Sequence, residues 1–233
     1  MLPILALGFA MGLQHALEAD HVAAVATLAS RNGRPIDIIK HGLTWGLGHT
    51  LTLLTLGGAA FALGQAIPES LSNRLEFCVG IMLCGLGAHL LVRLYRDRIH
   101  VHVHQHDGER PHLHVHSHRT EAVAHARSAH QHEHGFRWRT LLVGLMHGMA
   151  GSAALLLLAM SQVKDPARGA LYILIFGLGT MAGMGLLSAV ISVPLAFSAR
   201  FLSWANRGLQ IGIGCFTICL GVMTMLAHWS AAH

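Results

Sequence analysis

Apolar residues in this chain gather in blocks of about twenty, the length at which a helix crosses the hydrocarbon core of a bilayer. They do not fall in the narrow stripes of a soluble amphipathic helix. The block over residues 2–29, LPILALGFAMGLQHALEADHVAAVATLA, is typical except that it holds two histidines, a glutamate and an aspartate. Hydrophobic residues make up 53% of the 233 and charged residues 12%, about half the charged share of a soluble domain. Mean hydropathy is +0.50. These features predict an all-α integral membrane protein and exclude a soluble globular domain. The formal charge of +5 suits basic residues flanking membrane spans, and the sequence holds no nucleic-acid-binding motif. The cysteines Cys78, Cys84, Cys215 and Cys219 lie in apolar blocks without C-x-x-C spacing, so they read as small hydrophobes.

Six transmembrane helices are predicted, at about 2–28, 36–63, 75–95, 139–162, 169–197 and 208–229, with Pro194 placed to kink or end the fifth. The first block lacks a basic leader and is longer than the apolar core of a signal peptide, so it reads as a retained span. A polar segment, 96–138, separates two three-helix units, 1–95 and 139–233. Thirteen of the sixteen Lys and Arg residues fall in or at the edges of the odd-numbered loops. The positive-inside rule then puts those loops in the cytoplasm and both termini outside the inner, or plasma, membrane.

The two units resemble one another. GLQHALEADHVA (12–23) aligns with GLMHGMAGSAAL (144–155), WGLGHT (45–50) with FGLGTM (176–181), and LEFCVGIMLCGLG (75–87) with LQIGIGCFTICLG (209–221). A three-helix unit repeated in one chain takes opposite orientations in its two copies. The expectation is therefore a pair of inverted repeats with a substrate site near the bilayer midplane.

Ionisable groups at bilayer depth are costly and usually mark an ion path or binding site. His15, Glu18, Asp20 and His21 are such a group. Imidazole mixed with carboxylate suits a borderline divalent ion such as nickel, cobalt or zinc, whereas magnesium and calcium prefer oxygen alone. On a straight helix, however, His15 and His21 stand about 9 Å apart along the axis and on different faces. Either the helix is distorted, or the motif spans two stations of one path, or Asp20 orients a ligand rather than binding the ion. In HGLTWGLGHT (41–50), His41, Trp45 and His49 share a face, and Gly42, Gly46 and Gly48 admit a close neighbour. His49, at mid-span, is a candidate ligand. His41 is an access or exit station or an interfacial histidine, and His147 a ligand or a packing residue. Met11, Met146 and Met149 read as packing.

Between the two units, HVHVHQH, HLHVHSH and HARSAHQHEH carry twelve of the twenty histidines. These are His100, His102, His104, His106, His112, His114, His116, His118, His125, His130, His132 and His134. Alternating histidine is a metal-binding composition. The segment lacks the apolar content for a core, so it is expected to be a disordered His-rich loop without metal. Its affinity for a transition metal should fall as pH drops through about 6.5, where imidazole takes up a proton.

HALEADH in the first helix, LGHT in the second and GLMHGMAGSAAL in the fourth resemble the motifs of the nickel/cobalt transporter superfamily, NiCoT or NicO, and in particular its shorter urease-associated members. The chain departs from the common pattern at Gln14, where many members carry Arg, and at Glu18, commonly Asp. The resemblance implies a permease for Ni2+ or Co2+ as transported substrate, without a resident cofactor or enzymatic activity. It implies that His15, Asp20 and His21 are required and that His49 assists. It also implies a cytoplasmic metallochaperone or a urease or hydrogenase maturation protein as partner. No GxxxxGK[ST] loop occurs, so the energy must come from the membrane potential, a proton gradient or a partner subunit. An inside-negative potential favours uptake of a divalent ion by about 4.6 kcal/mol per 100 mV. The alternatives are proton-coupled efflux, a membrane metal sensor that transports nothing alone, and a membrane metalloenzyme.

Overall fold

The computed structural model describes residues 2–30, 35–64, 68–96, 100–104, 112–116, 138–150, 165–201 and 203–229. The first predicted helix is two helices, α1 (Leu2–His15) and α2 (Ala19–Ala29). The second is α3 (Pro35–Thr52), a π-helical turn (Leu53–Gly57) and α4 (Gly58–Ala62) in one continuous run. The third, α5, spans Glu69–Arg96. Of the fourth, α6 (Trp138–Ala150) is described; residues 151–164 lie outside the described residues. The fifth and sixth are α7 (Pro166–Phe201) and α8 (Ser203–Trp229).

Local chemistry sets the ends. Pro35 and Pro166 occupy first helical positions, where a missing N–H costs nothing. The Asp165 carboxylate accepts from the Ala167 N–H (3.4 Å). Glu69 at the start of α5 and Arg93 and Arg96 at its end complement the helix dipole. Gly64, at φ +62°, follows α4 in the left-handed conformation that ends many helices. Pro194 neither ends α7 nor stops it short of Phe201, a tolerance common in membrane helices, where neighbouring groups satisfy the freed carbonyl.

α5, α7 and α8 are each long and apolar enough to cross a membrane. Their outward faces carry large apolar side chains, among them Val92, Leu186, Val193, Phe216 and Leu226, all exposed. The interior, by contrast, is rich in small and hydroxylated residues. Thr27 and Thr217 share a hydrogen bond of 2.9 Å between α2 and α8. That inversion is the signature of a bundle whose solvent is lipid. The chain is an all-α, multi-pass membrane protein.

α5 packs on α8 and α3 on α7, while α1 packs on α7 and α3 on α6. Close approach depends on glycine at the tightest crossings. A Cβ on Gly12 would overlap the Phe176 carbonyl oxygen, and one on Gly144 would overlap that of Trp45. Gly12→Val is therefore expected to lower thermal stability in detergent and membrane yield, because a backbone carbonyl cannot turn aside; overpacking costs about 1–3 kcal/mol or more. Gly212→Val, where an added Cβ meets nothing within 4 Å, should be tolerated. Equal behaviour of the two variants would contradict this packing.

Two stretches of the polar segment differ from the expected disorder. His100–His104 (β1) and His112–His116 (β2) form an antiparallel hairpin pairing His100 with His116, His102 with His114 and His104 with His112. The reason is periodicity: HVHVH and HLHVH alternate with period two and supply β-branched valines, a strand pattern. His106, His118, His125, His130, His132 and His134 lie outside the described residues.

Candidate metal centre

Residues 16–18 interrupt the first span. The Leu17 and Glu18 N–H groups donate to carbonyls three residues back, at 2.9 and 3.1 Å, tightening the last turn of α1. Glu18 is then extended, at φ −62° and ψ 149°, and its carbonyl begins α2 by accepting from Val22. The interruption cancels the straight-helix separation of the two histidines. The His15 and His21 ring centroids are 4.6 Å apart.

His49 reaches the same point from α3, its ring 5.3 Å from both. One ligand atom from each of His15, His21 and His49 lies within 4.8 Å of the other two, and Asp20, His21 and His147 form a second such group. His21, His49 and His147 are essentially inaccessible, and His15 is 8% exposed. His147 arrives from α6, its ring 4.2 Å from that of His21.

Carboxylates hold the imidazoles from behind. His15 Nδ1–H donates to Glu18 Oε1 at 2.8 Å. His21 Nδ1–H donates to Asp20 Oδ1 at 3.0 Å, and His147 Nε2–H donates to Asp20 Oδ2 at 2.8 Å. A carboxylate only accepts, so each bond fixes the proton on the nitrogen facing it and leaves the other nitrogen as a lone pair. The freed atoms, His15 Nε2, His21 Nε2 and His147 Nδ1, are buried and have no hydrogen-bond partner; neither nitrogen of His49 has one. Several unpartnered imidazole nitrogens in one buried cluster are expensive unless a cation completes them.

Aromatic walls enclose the cluster. Trp45 stacks on His21, with centroids 5.7 Å apart and planes 21° apart, and meets His147 edge-on at 5.4 Å. Phe176 lies 5.5 Å from His15. The cluster borders a cavity of ≈ 260 Å³ that His15, Asp20, His21 and His147 share with Glu18.

Of the expected site residues, the structure thus brings His15, Glu18, Asp20, His21, His49 and His147 together. His41 stands apart, its Nδ1 and the Thr140 hydroxyl sharing a hydrogen bond of 2.7 Å. Met11 packs with Leu53, Tyr172, Ile173 and Phe176 and accepts from the Tyr172 hydroxyl at 3.6 Å. Met146 is 41% exposed. Two cavity residues escaped the sequence reading, Glu76 and His228. Glu76, two residues past Arg74 at the edge of an apolar block, is a carboxylate inside a predicted span, the kind of signal that marks an intramembrane site; His228, beside Trp229 at a helix end, gives no such signal.

The family described as the cytochrome C biogenesis protein transmembrane region matches residues 4–223. The urease accessory protein UreH of Bacillus sp. (strain TB-90) is 36% identical over 211 residues, which covers 91% of this chain and 86% of that protein. No solved structure matches the chain.

Proposed function

Because the chain belongs to the family of cytochrome C biogenesis protein transmembrane regions and is homologous to a urease accessory protein, we propose that it is a nickel permease of the nickel/cobalt transporter type. One observation carries the reading: His15, His21 and His49 present ligand atoms within 4.8 Å of one another, and two of the three rings have a carboxylate on the far nitrogen. Three imidazoles, two of them backed by carboxylates, are a donor set for Ni2+ or Co2+. The four cysteines are free and none belongs to the cluster, so its chemistry is that of nitrogen and oxygen. An accessory protein serves an enzyme without being one, and the motifs that resemble those of nickel/cobalt transporters name the ion. The role proposed is accordingly non-enzymatic supply of Ni2+, with Co2+ also carried.

Packing supports the inverted repeat, units 1–95 and 139–233. In the sequence alignment Gly12 corresponds to Gly144 and Phe176 to Trp45, and the two close approaches, Gly12 on Phe176 and Gly144 on Trp45, exchange under that correspondence. The same exchange relates Gly46 on Met181 to Gly177 on Thr50, and Gly80 on Gly221 to Gly87 on Gly214. It also relates the ring pairs His15–Phe176 and His147–Trp45. In this reading the metal centre belongs to the seam between the two repeats, where repeat transporters keep their substrate.

Uptake is the direction proposed, with the His-rich segment in the cytoplasm receiving the ion and a metallochaperone or urease maturation protein taking it onward. The test is nickel flux into proteoliposomes holding a chelating dye. An inside-negative potential should drive inward flux, with cobalt competing. Flux that requires an opposing proton gradient would make the protein an exporter, and binding without flux would make it a sensor.

A further inference from the structure

We propose that Glu76 and His228, with Glu18, form a second cation station at the mouth of the cavity, where an arriving divalent transition-metal ion is held before it reaches the buried histidines. The inference rests on the permease reading and adds residues to that path. Glu76 on α5 and His228 on α8 line the same cavity as His15, Asp20, His21 and His147. Glu76 and His228 thus share one cavity with two further carboxylates, Glu18 and Asp20. Glu18, 57% exposed, joins the two places, since Oε1 holds His15 at 2.8 Å while the residue also lines the mouth. His228 Nδ1–H donates to the Thr224 carbonyl at 2.9 Å, which leaves Nε2 as the lone pair. His15 and His21, whose buried Nε2 atoms have no partner, line the same space.

The molecule contains its own control. α5 and α8 are counterparts in the two repeats, and the pairing of Gly80 with Gly221 is reproduced by that of Gly214 with Gly87. Carrying the alignment along both helices sets Glu76 against Gln210, Thr224 against Leu90 and His228 against Leu94. The same helix pairing is thus built at its other end with a neutral amide and two leucines. Packing does not call for a carboxylate and an imidazole there. They occur at the end where the cavity borders the centre.

Position adds direction. Arg96 lies twenty residues beyond Glu76 on α5, about 30 Å along the axis, and β1 follows it. The station therefore stands at the end of a membrane-crossing helix opposite to the end from which the chain goes on to the histidine hairpin. Mixed carboxylate and imidazole ligands near solvent bind divalent ions more weakly than the buried cluster and raise their local concentration.

Reconstitution at low protein-to-lipid ratio, with vesicles captured through a C-terminal streptavidin-binding tag, selects molecules whose Trp229 end and cavity mouth face outward. The initial rate of inward Ni2+ flux is then read against Ni2+ concentration. Glu76→Gln and His228→Gln are each expected to raise the half-saturating concentration about tenfold, as loss of a charged cleft does, with little change in maximal rate. Gln210→Ala should change neither. Unchanged half-saturation in both variants, with wild-type flux intact, overturns the station alone. His228 lies at a helix end, so its variant stays informative if Glu76→Gln fails to insert. A wild type that binds Co2+ but moves no nickel overturns the permease reading, and the station with it.

Discussion

Nickel flux is expected to vanish in His49→Leu while the protein becomes no less stable. His49 is fully buried and neither ring nitrogen has a hydrogen-bond partner. As a mere packing residue it would be a poor choice, since an unpartnered imidazole costs free energy that leucine of similar volume does not. As a ligand, its loss removes one of three donors. Changing even the groups behind the ligands typically lowers metal affinity about ten- to a hundredfold, so the loss of a ligand should exceed that range. The two measurements are flux in proteoliposomes and apo-protein melting in detergent. Retained flux would remove His49 from the path, and a destabilised but active variant would make it structural.

The second large effect is expected at Asp20. Its two oxygens take N–H groups from His21 and His147 at 3.0 and 2.8 Å. Asparagine keeps the shape but offers one acceptor and one donor. In Asp20→Asn one of the two histidines must turn a lone pair toward the amide and carry its proton on the other nitrogen, where the ion needs a lone pair. Co2+ affinity measured by calorimetry should fall about ten- to a hundredfold. Glu18→Gln should fall less, because Glu18 is half exposed and water can replace it behind His15. Wild-type affinity in Asp20→Asn would show that the carboxylate does not set the ring protons.

Much of this centre is legible in the sequence because membrane burial is unforgiving. Four ionisable residues in HALEADH cannot be casual, and His49 stands in mid-span beside glycines that admit a neighbour. The break at 16–18 is not legible. Alanine, leucine and glutamate are strong helix formers, nothing in QHALEAD resembles a stop signal, and the distortion is one of three options left open by the spacing. What accompanies it is tertiary packing: Ala16 is fully buried, and a Cβ on Gly183 would overlap it. His147 stays ambiguous in the sequence because its partner, Asp20, is 127 residues away. In the polar segment composition and periodicity disagree: abundant histidine argues for disorder, while strict alternation argues for the strands that form.

The carboxylates behind the histidines also fix how the centre counts charge. With neutral rings, Glu18 and Asp20 together carry two negative charges, and a divalent ion brings two positive ones. A loaded centre is then neutral as a whole. If the protein is the permease proposed, reorienting the loaded centre between the two faces of the bilayer would move no net charge, and the membrane voltage would act instead on the ion's passage through the cavity and on the return of the emptied, doubly negative centre. Such a carrier would be slowest on its empty return, and any proton that rides back on either carboxylate would set its turnover.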